Sequence, residues 1–426
     1  MKKYKKLYEF YLDWDEESQT GSILPEYYVD NTSNIPVGYA LRFLQNELNA
    51  VLNSFLNGGF SHKGFIFYPF INDISSENIN KIKRLKKIAV LLNSHGYGFN
   101  DSIGKYRSSI SGKNFAEIVS CLYQDFSSIK TRSPRLINKS KCEEFDIDSY
   151  GKSDLGYLSP LNELKDYANR YLREYLAGFY LHGSFATKDY VKGWSDVDTL
   201  AIISRETIEN PKKLLELRDK MYLMRYFFYK VDPLQHHGSM IISEHDAGNY
   251  CNAYFPVEVF RHSKSFFNDD KAIKFKARNF SNEALSKLFW FVSYFRKLNK
   301  NKVTGSYGTK SLLHAVTLFP TLYLQAKGIS LYKRYSFDIA KKDFKKNEWQ
   351  VIDEVSALRL KWEGFPIMPP IRTISKINPL LFYQLNSRLV DFLNMNKNKI
   401  DAESIIKGMH TFSESAWSKI KNAIQL

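Results

Sequence analysis

Cysteine is nearly absent. Cys121, Cys142 and Cys251 are the only three in 426 residues. Their number is odd and their spacing wide, so neither a disulfide framework nor a zinc-binding pair is expected. Long apolar runs are missing too, since no stretch reaches the roughly 20 residues of a membrane-spanning helix. Basic residues at Met1-Lys2-Lys3-Tyr4-Lys5-Lys6 lead into Glu9, Asp13, Asp15, Glu16 and Glu17 rather than an apolar segment. That pattern excludes a secretory signal, so a reducing, cytoplasmic setting and no membrane association are expected. There is no internal repeat and no low-complexity tract. Acidic residues are in deficit, 45 against 61 basic ones, for a formal net charge of +16. The imbalance favours anionic partners such as nucleotides or nucleic acid, although most lysines on any surface are simply solvated.

What is present supports a folded chain. Hydrophobic residues make up 44% and charged residues 25%, enough for cores in two or three domains. Aromatic residues reach 15%. Core packing accounts for most of them, and base stacking is open to some. Residues 1–150 read as a module of mixed character. Leu41, Leu44, Leu48, Val51 and Leu52 recur at helical spacing, Gly64 to Tyr68 fits a strand, and Asn80 to Asn93 fits a helix. Ser127 to Ser153, polar and containing Pro134, reads as a linker. From 155 to 283 the order is helix, strand, loop, strand, helix, strand, with the strands expected at Ala177–Leu181, Val197–Ile203, Phe228–Leu234 and Met240–Ser243. From 284 to 426 the periodicity is helical, notably over Leu285–Leu298, Thr309–Gln325, Trp349–Trp362 and Pro379–Leu393. The expected class is α+β: a mixed-sheet core flanked by helices, an N-terminal α/β module and a C-terminal helical domain.

One segment carries chemistry. An apolar strand ends at His182-Gly183-Ser184, a short loop follows, and Ser195-Asp196-Val197-Asp198 leads into the apolar run Leu200-Ala201-Ile202-Ile203. Side chains alternate across a strand, so Asp196 and Asp198 share a face. Two such carboxylates repel each other. A hard divalent cation, Mg²⁺ or Mn²⁺, relieves that repulsion and prefers oxygen ligands. Gly183 lets the backbone approach a phosphate, and Ser184 adds a hydroxyl and an amide donor.

The stretch from His182-Gly183-Ser184-Phe185-Ala186-Thr187 to Trp194-Ser195-Asp196-Val197-Asp198-Thr199-Leu200 resembles the core motif of the polymerase-beta-like nucleotidyltransferase superfamily, over roughly residues 160–245. The resemblance implies a metal-dependent transfer of a nucleoside monophosphate from a nucleoside triphosphate (ATP among the candidates) to an acceptor hydroxyl or phosphate, with release of pyrophosphate. The acceptor is left open among RNA or a tRNA end, another nucleotide, a protein and a small molecule. It also implies that Asp196 and Asp198 hold the metal, that Gly183, Ser184 and Ser195 meet the nucleotide, and that a third carboxylate stands on a neighbouring strand. Asp232 is the best match for that carboxylate, although Pro233 beside it is unusual within a strand; Glu244 and Asp246 are fallbacks. Lys310, near the start of an expected helix, is a candidate for the triphosphate, with a solvated surface lysine equally plausible.

Other residues fit two descriptions each. His236 and His237 suit a pocket or local hydrogen bonding, and only one of two neighbours on a strand can face a cleft. His182 suits a pocket wall or a structural role. Lys271, Lys274, Lys276 and Arg278, with Arg296, Lys297, Lys300 and Lys302, suit an RNA backbone or ordinary charged faces. Two competing functions remain: a catalytically inactive nucleotide- or nucleic-acid-binding regulator of the same fold, and a metal-dependent phosphohydrolase using Asp196, Asp198 and the histidine pair.

Overall fold

The structure is a computed structural model. The residues described are 37–57, scattered positions within 82–96, 114–128, 135–140, 142–235, 237–252, 255–267, 272–278, and 281–424 apart from 394 and 396. The strand expected at 64–68 lies outside them, as do half of the residues of the helix expected at 80–93, whose described positions are helical, together with His236 and Lys271.

The strands are β1 (Arg135–Ser140), β2 (Glu143–Glu144), β3 (Leu176–His182), β4 (Asp198–Ile203), β5 (Met240–Ser243), β6 (Tyr250–Cys251), β7 (Lys264–Ser265) and β8 (Ile273–Arg278). The larger sheet has the order β2-β7-β3-β4-β5 and the smaller β1-β8-β6. The larger sheet is mixed: β3 runs antiparallel to β4 and β7, and β4 runs parallel to β5. Residues 127–153, expected to be a linker, contain β1 and β2. β1 pairs with β8 over six residues. In β8, Ile273, Phe275 and Ala277 are buried while Lys274 and Lys276 are exposed.

Strict alternation on β3 and β4 builds two cores. Phe179, Leu181, Ala201 and Ile203 enter one; Tyr180, Leu200 and Ile202 enter the other. Each of the large apolar side chains among them contributes roughly 1.5–3 kcal/mol by burial. The first core also takes residues of α1 (Val37–Asn57), α2 (Phe115–Ser128), α3 (Leu155–Tyr171) and α5 (Pro211–Val231); α4 is the short helix Gly183–Thr187 that follows β3.

α1 does more than bury leucines. Asn49, Asn53 and Asn57 recur every four residues, which places them on one face. Asn53 donates to the Ile241 carbonyl (2.7 Å) and accepts from the Ile241 N–H (2.9 Å), while Asn57 donates to the Ser239 carbonyl (3.0 Å). These amides pair the open edge of β5 as another strand would, protecting an edge that would otherwise be exposed.

The C-terminal helices α6 (Ser281–Lys297), α7 (Gly305–Ala326), α8 (Lys333–Lys341), α9 (Lys346–Leu360), α10 (Pro379–Phe392) and α11 (Ala402–Ile424) bury a separate core. Phe412 of α11 packs edge-on against Trp349 (5.7 Å) and close to Phe344 (4.5 Å). The helical region meets the sheet region through α5, whose Tyr229 stacks on Tyr383 at 5.1 Å. No helix among the described residues is long and apolar enough to cross a membrane.

Candidate active site

The sheet end where β3 stops and β4 starts faces the helical region across a cavity of about 770 Å³. His182, the last residue of β3, sits opposite Asp198, the first of β4. Gly183 turns the chain there with φ +70°, and a Cβ on it would collide with Asp198 Oδ2. Only glycine meets both conditions. Ser184 follows at the cavity wall. Val197 is buried in the core on one side of the sheet, so Asp196 and Asp198 project to the other, into the cavity. Asp196 precedes β4 in an extended lead-in rather than lying within the strand.

Asp196, Asp198 and His237 each offer a ligand atom within 4.8 Å of the others, a group suited to a metal ion. His237 Nε2 lies 3.0 Å from Asp196 Oδ2 and 3.4 Å from Asp198 Oδ1. Burial and the neighbouring Asp196 charge push the Asp198 carboxyl up to about 7. Burial works against a charged His237, but the hydrogen bond it donates to Asp196 and the charges of both aspartates lift its pKa to about 9. An imidazolium at His237 therefore offsets part of the charge of the carboxylate pair. Its Nδ1 faces the Gly238 carbonyl at 2.9 Å, which leaves Nε2 as the ligand atom once its proton is lost. Two carboxylate oxygens and an imidazole nitrogen fit a divalent ion, and the nitrogen shifts the preference from Mg²⁺ toward Mn²⁺.

Asp232 is not in this group. The strand expected at Phe228–Leu234 is the last turn of α5, and Asp232 is its C-terminal cap. The apolar side chains at the end of α5 pack on α3 and α10 as a helix face through Val231. The neighbouring strand is β5, whose lead-in carries His237. Asp232 instead meets Lys310 at 2.6 Å, both almost fully buried, and burial raises its pKa despite that partner. Lys310 lies in the second turn of α7 rather than at a free helix start, and its ammonium also sits over the Trp194 ring at 5.7 Å. Glu244 accepts from the Arg205 N–H, and Asp246 is enclosed by Ser243, Tyr123 and Gln45.

The remaining candidates divide. His182 lines the cavity but is held neutral, its pKa lowered to about 3 by burial and then by His237. Ser195 also lines the cavity, and its hydroxyl accepts from the Val191 N–H at 2.9 Å, bracing the turn before Asp196. Trp194, beside it, is buried in the helical core, stacked on His314 at 4.6 Å and edge-on to Trp362 at 5.0 Å. Gly193 allows this insertion: a Cβ there would stand 2.7 Å from the Gly364 Cα.

Sequence reasoning missed three contributors. Buried Gln235 accepts from the Val197 N–H (2.8 Å) and donates to the Val197 carbonyl (3.1 Å), fixing the peptide between the two aspartates. It donates to the His237 carbonyl as well, at 3.0 Å. Lys333 and Arg359 face the carboxylates from α8 and α9 and line the cavity. Burial lowers the Lys333 pKa to about 7, with Arg359 adding to the shift, and burial also lowers Arg359, whose Nε has no hydrogen-bond partner. No sequence motif marks any of the three, because each acts across a long loop closure. Comparison with protein-family models, with curated proteins and with solved structures returns no match to the chain.

Proposed function

We propose that this chain is a metal-dependent nucleotidyltransferase, moving a nucleoside monophosphate from a nucleoside triphosphate to an acceptor. The mixed sheet flanked by helices, with its Asp/Asp/His cluster, is consistent with a polymerase-beta-like nucleotidyltransferase fold at the level of the superfamily. The observation that carries the reading is one cavity holding that cluster, Gly183-Ser184, and the cations Lys333 and Arg359. Metal ligands, a close backbone approach and positive charge are what a triphosphate requires.

In this reading Asp196, Asp198 and His237 hold Mn²⁺ or Mg²⁺. The bound ion supplies charge neutralisation at the α-phosphate and acidifies the acceptor hydroxyl. Gly183 and Ser184 approach the β- and γ-phosphates, and Lys333 with Arg359 stabilises their charge as pyrophosphate leaves. The acceptor oxygen bonds to the α-phosphorus as the bond to the bridging oxygen breaks. Gln235 keeps Asp196 and Asp198 at fixed separation. Asp232 and Lys310 join the catalytic region to α7 as a buried pair, in place of the roles expected for them. A second reading, nucleotide binding without transfer, is favoured by the cluster having a histidine and two carboxylates rather than three carboxylates.

Incubation with each labelled nucleoside triphosphate, Mn²⁺ or Mg²⁺ and total cellular RNA or protein tests the proposal. Label transfer is expected, and is lost in Asp196→Asn/Asp198→Asn. Tight metal-dependent binding with no transfer and no pyrophosphate would select the second reading. Transfer surviving the double substitution would refute the site.

A further inference from the structure

A second depression lies behind α4, separated from the catalytic cavity by Tyr332 and Arg334, which line both. Its volume is about 240 Å³. Arg261, His262 and Lys264 form one wall and Arg334 the other. Among the described residues Arg261 pairs with the half-buried Glu258 and Lys264 with Glu143, an exposed carboxylate that also lines the depression, and partly exposed pairs of this kind are worth little. Arg334 has no ion pair among the described residues.

Two independent observations point to an anionic ligand. The nine-residue helix α8 begins beside this depression with Tyr332 as its N-cap, has no side-chain cap and carries no acidic residue in its first turn. The positive end of a helix dipole is therefore left for an outside anion. Ser263, only 2% exposed, lines the same depression, and its hydroxyl has no hydrogen-bond partner. A buried hydroxyl left unpaired is costly unless a ligand completes it. Tyr332 connects the two chambers: its hydroxyl meets Thr187 Oγ1 at 2.8 Å and donates to Asp189 at 3.3 Å, on the loop between Ser184 and Asp196.

We infer that this depression binds a phosphate group of the acceptor, so that the acceptor is a phosphorylated molecule rather than a neutral alcohol. The inference rests on the proposed transferase reading. The volume admits a phosphate with part of its sugar, and the shared wall places that phosphate one side chain away from the catalytic cavity.

The test uses the full chain with Mn²⁺ and a non-hydrolysable nucleoside triphosphate filling the catalytic cavity. A labelled RNA trinucleotide with a terminal phosphate is compared with the same trinucleotide lacking it, by fluorescence anisotropy. The phosphorylated probe is expected to bind at least about tenfold more tightly, the size of one charge-assisted contact set. Arg261→Gln/Lys264→Gln, both outside the catalytic cavity, should erase that difference and leave the triphosphate Kd unchanged. Ser263→Ala should reduce it. Equal affinity for the two probes overturns the inference, as does a difference that survives the double substitution. Inorganic phosphate that binds in wild type while the trinucleotides go undiscriminated assigns the depression to a free anion and also overturns it. Failure of the transferase reading shows separately, as wild type that binds no triphosphate with Mn²⁺.

Discussion

Lys310 Nζ lies 2.6 Å from Asp232 Oδ2, and neither side chain reaches solvent. The pair joins the end of α5 to α7, across the boundary between sheet and helices. Removing one partner leaves the other charge buried and unpaired. Lys310→Met is therefore expected to lower stability by about 3–5 kcal/mol, measured by urea unfolding, with the nucleotide Kd of the folded protein unchanged. Normal stability with lost nucleotide affinity would instead return Lys310 to the triphosphate.

Metal binding should stabilise the fold. A ligand at a hundred times its Kd adds about 2.7 kcal/mol, so Mn²⁺ should raise the melting temperature, and more than Mg²⁺ at equal concentration because His237 supplies nitrogen. Asp196→Asn/Asp198→Asn should abolish the rise, and the metal-free variant should still fold because His237, no longer facing two carboxylates, can lose its proton. An equal rise in the variant would place the metal elsewhere.

Gln235→Met preserves volume but deletes both hydrogen bonds to Val197. The aspartates would lose their fixed separation. A shift of about 1 Å at a reacting centre can cost about a hundredfold in rate, so kcat should fall by that order while the triphosphate Kd stays within about twofold. A matching loss of affinity and melting temperature would indicate a purely structural role.

Lys333 gives the site a pH dependence. Its pKa of about 7 in the free protein means that half the molecules carry the cation at neutrality. A bound triphosphate stabilises the charged form and raises that pKa. Measured without metal, so that proton loss from Asp198 and His237 does not act through metal binding, affinity is thus full below pH 7 and weakens by up to about tenfold per pH unit above it, until the bound-state pKa is passed. Titrating the nucleotide Kd from pH 6 to 9 checks the sign. Lys333→Arg, always charged, should flatten the profile.

Period-two alternation in the sequence was enough to put Asp196 and Asp198 on a shared face, and both line the cavity. Gly183 stood out in the sequence as a point of close approach to a phosphate, whereas its positive φ and its contact with Asp198 came only with the structure. Both readings are local: a missing side chain and a strand's two faces, set within a few residues. Asp232 was not legible. Residues 228–234 suit a strand as well as a helix, and packing of α5 against α3 and α10 decided for helix, turning its carboxylate toward Lys310. His237, already a pocket candidate from the sequence, joined the carboxylate pair because β5 lies parallel to β4, a pairing across some forty residues. Gln235, Lys333 and Arg359 followed the same logic. Their chemistry depends on which distant backbone or carboxylate they meet, and only the tertiary structure brings those partners together.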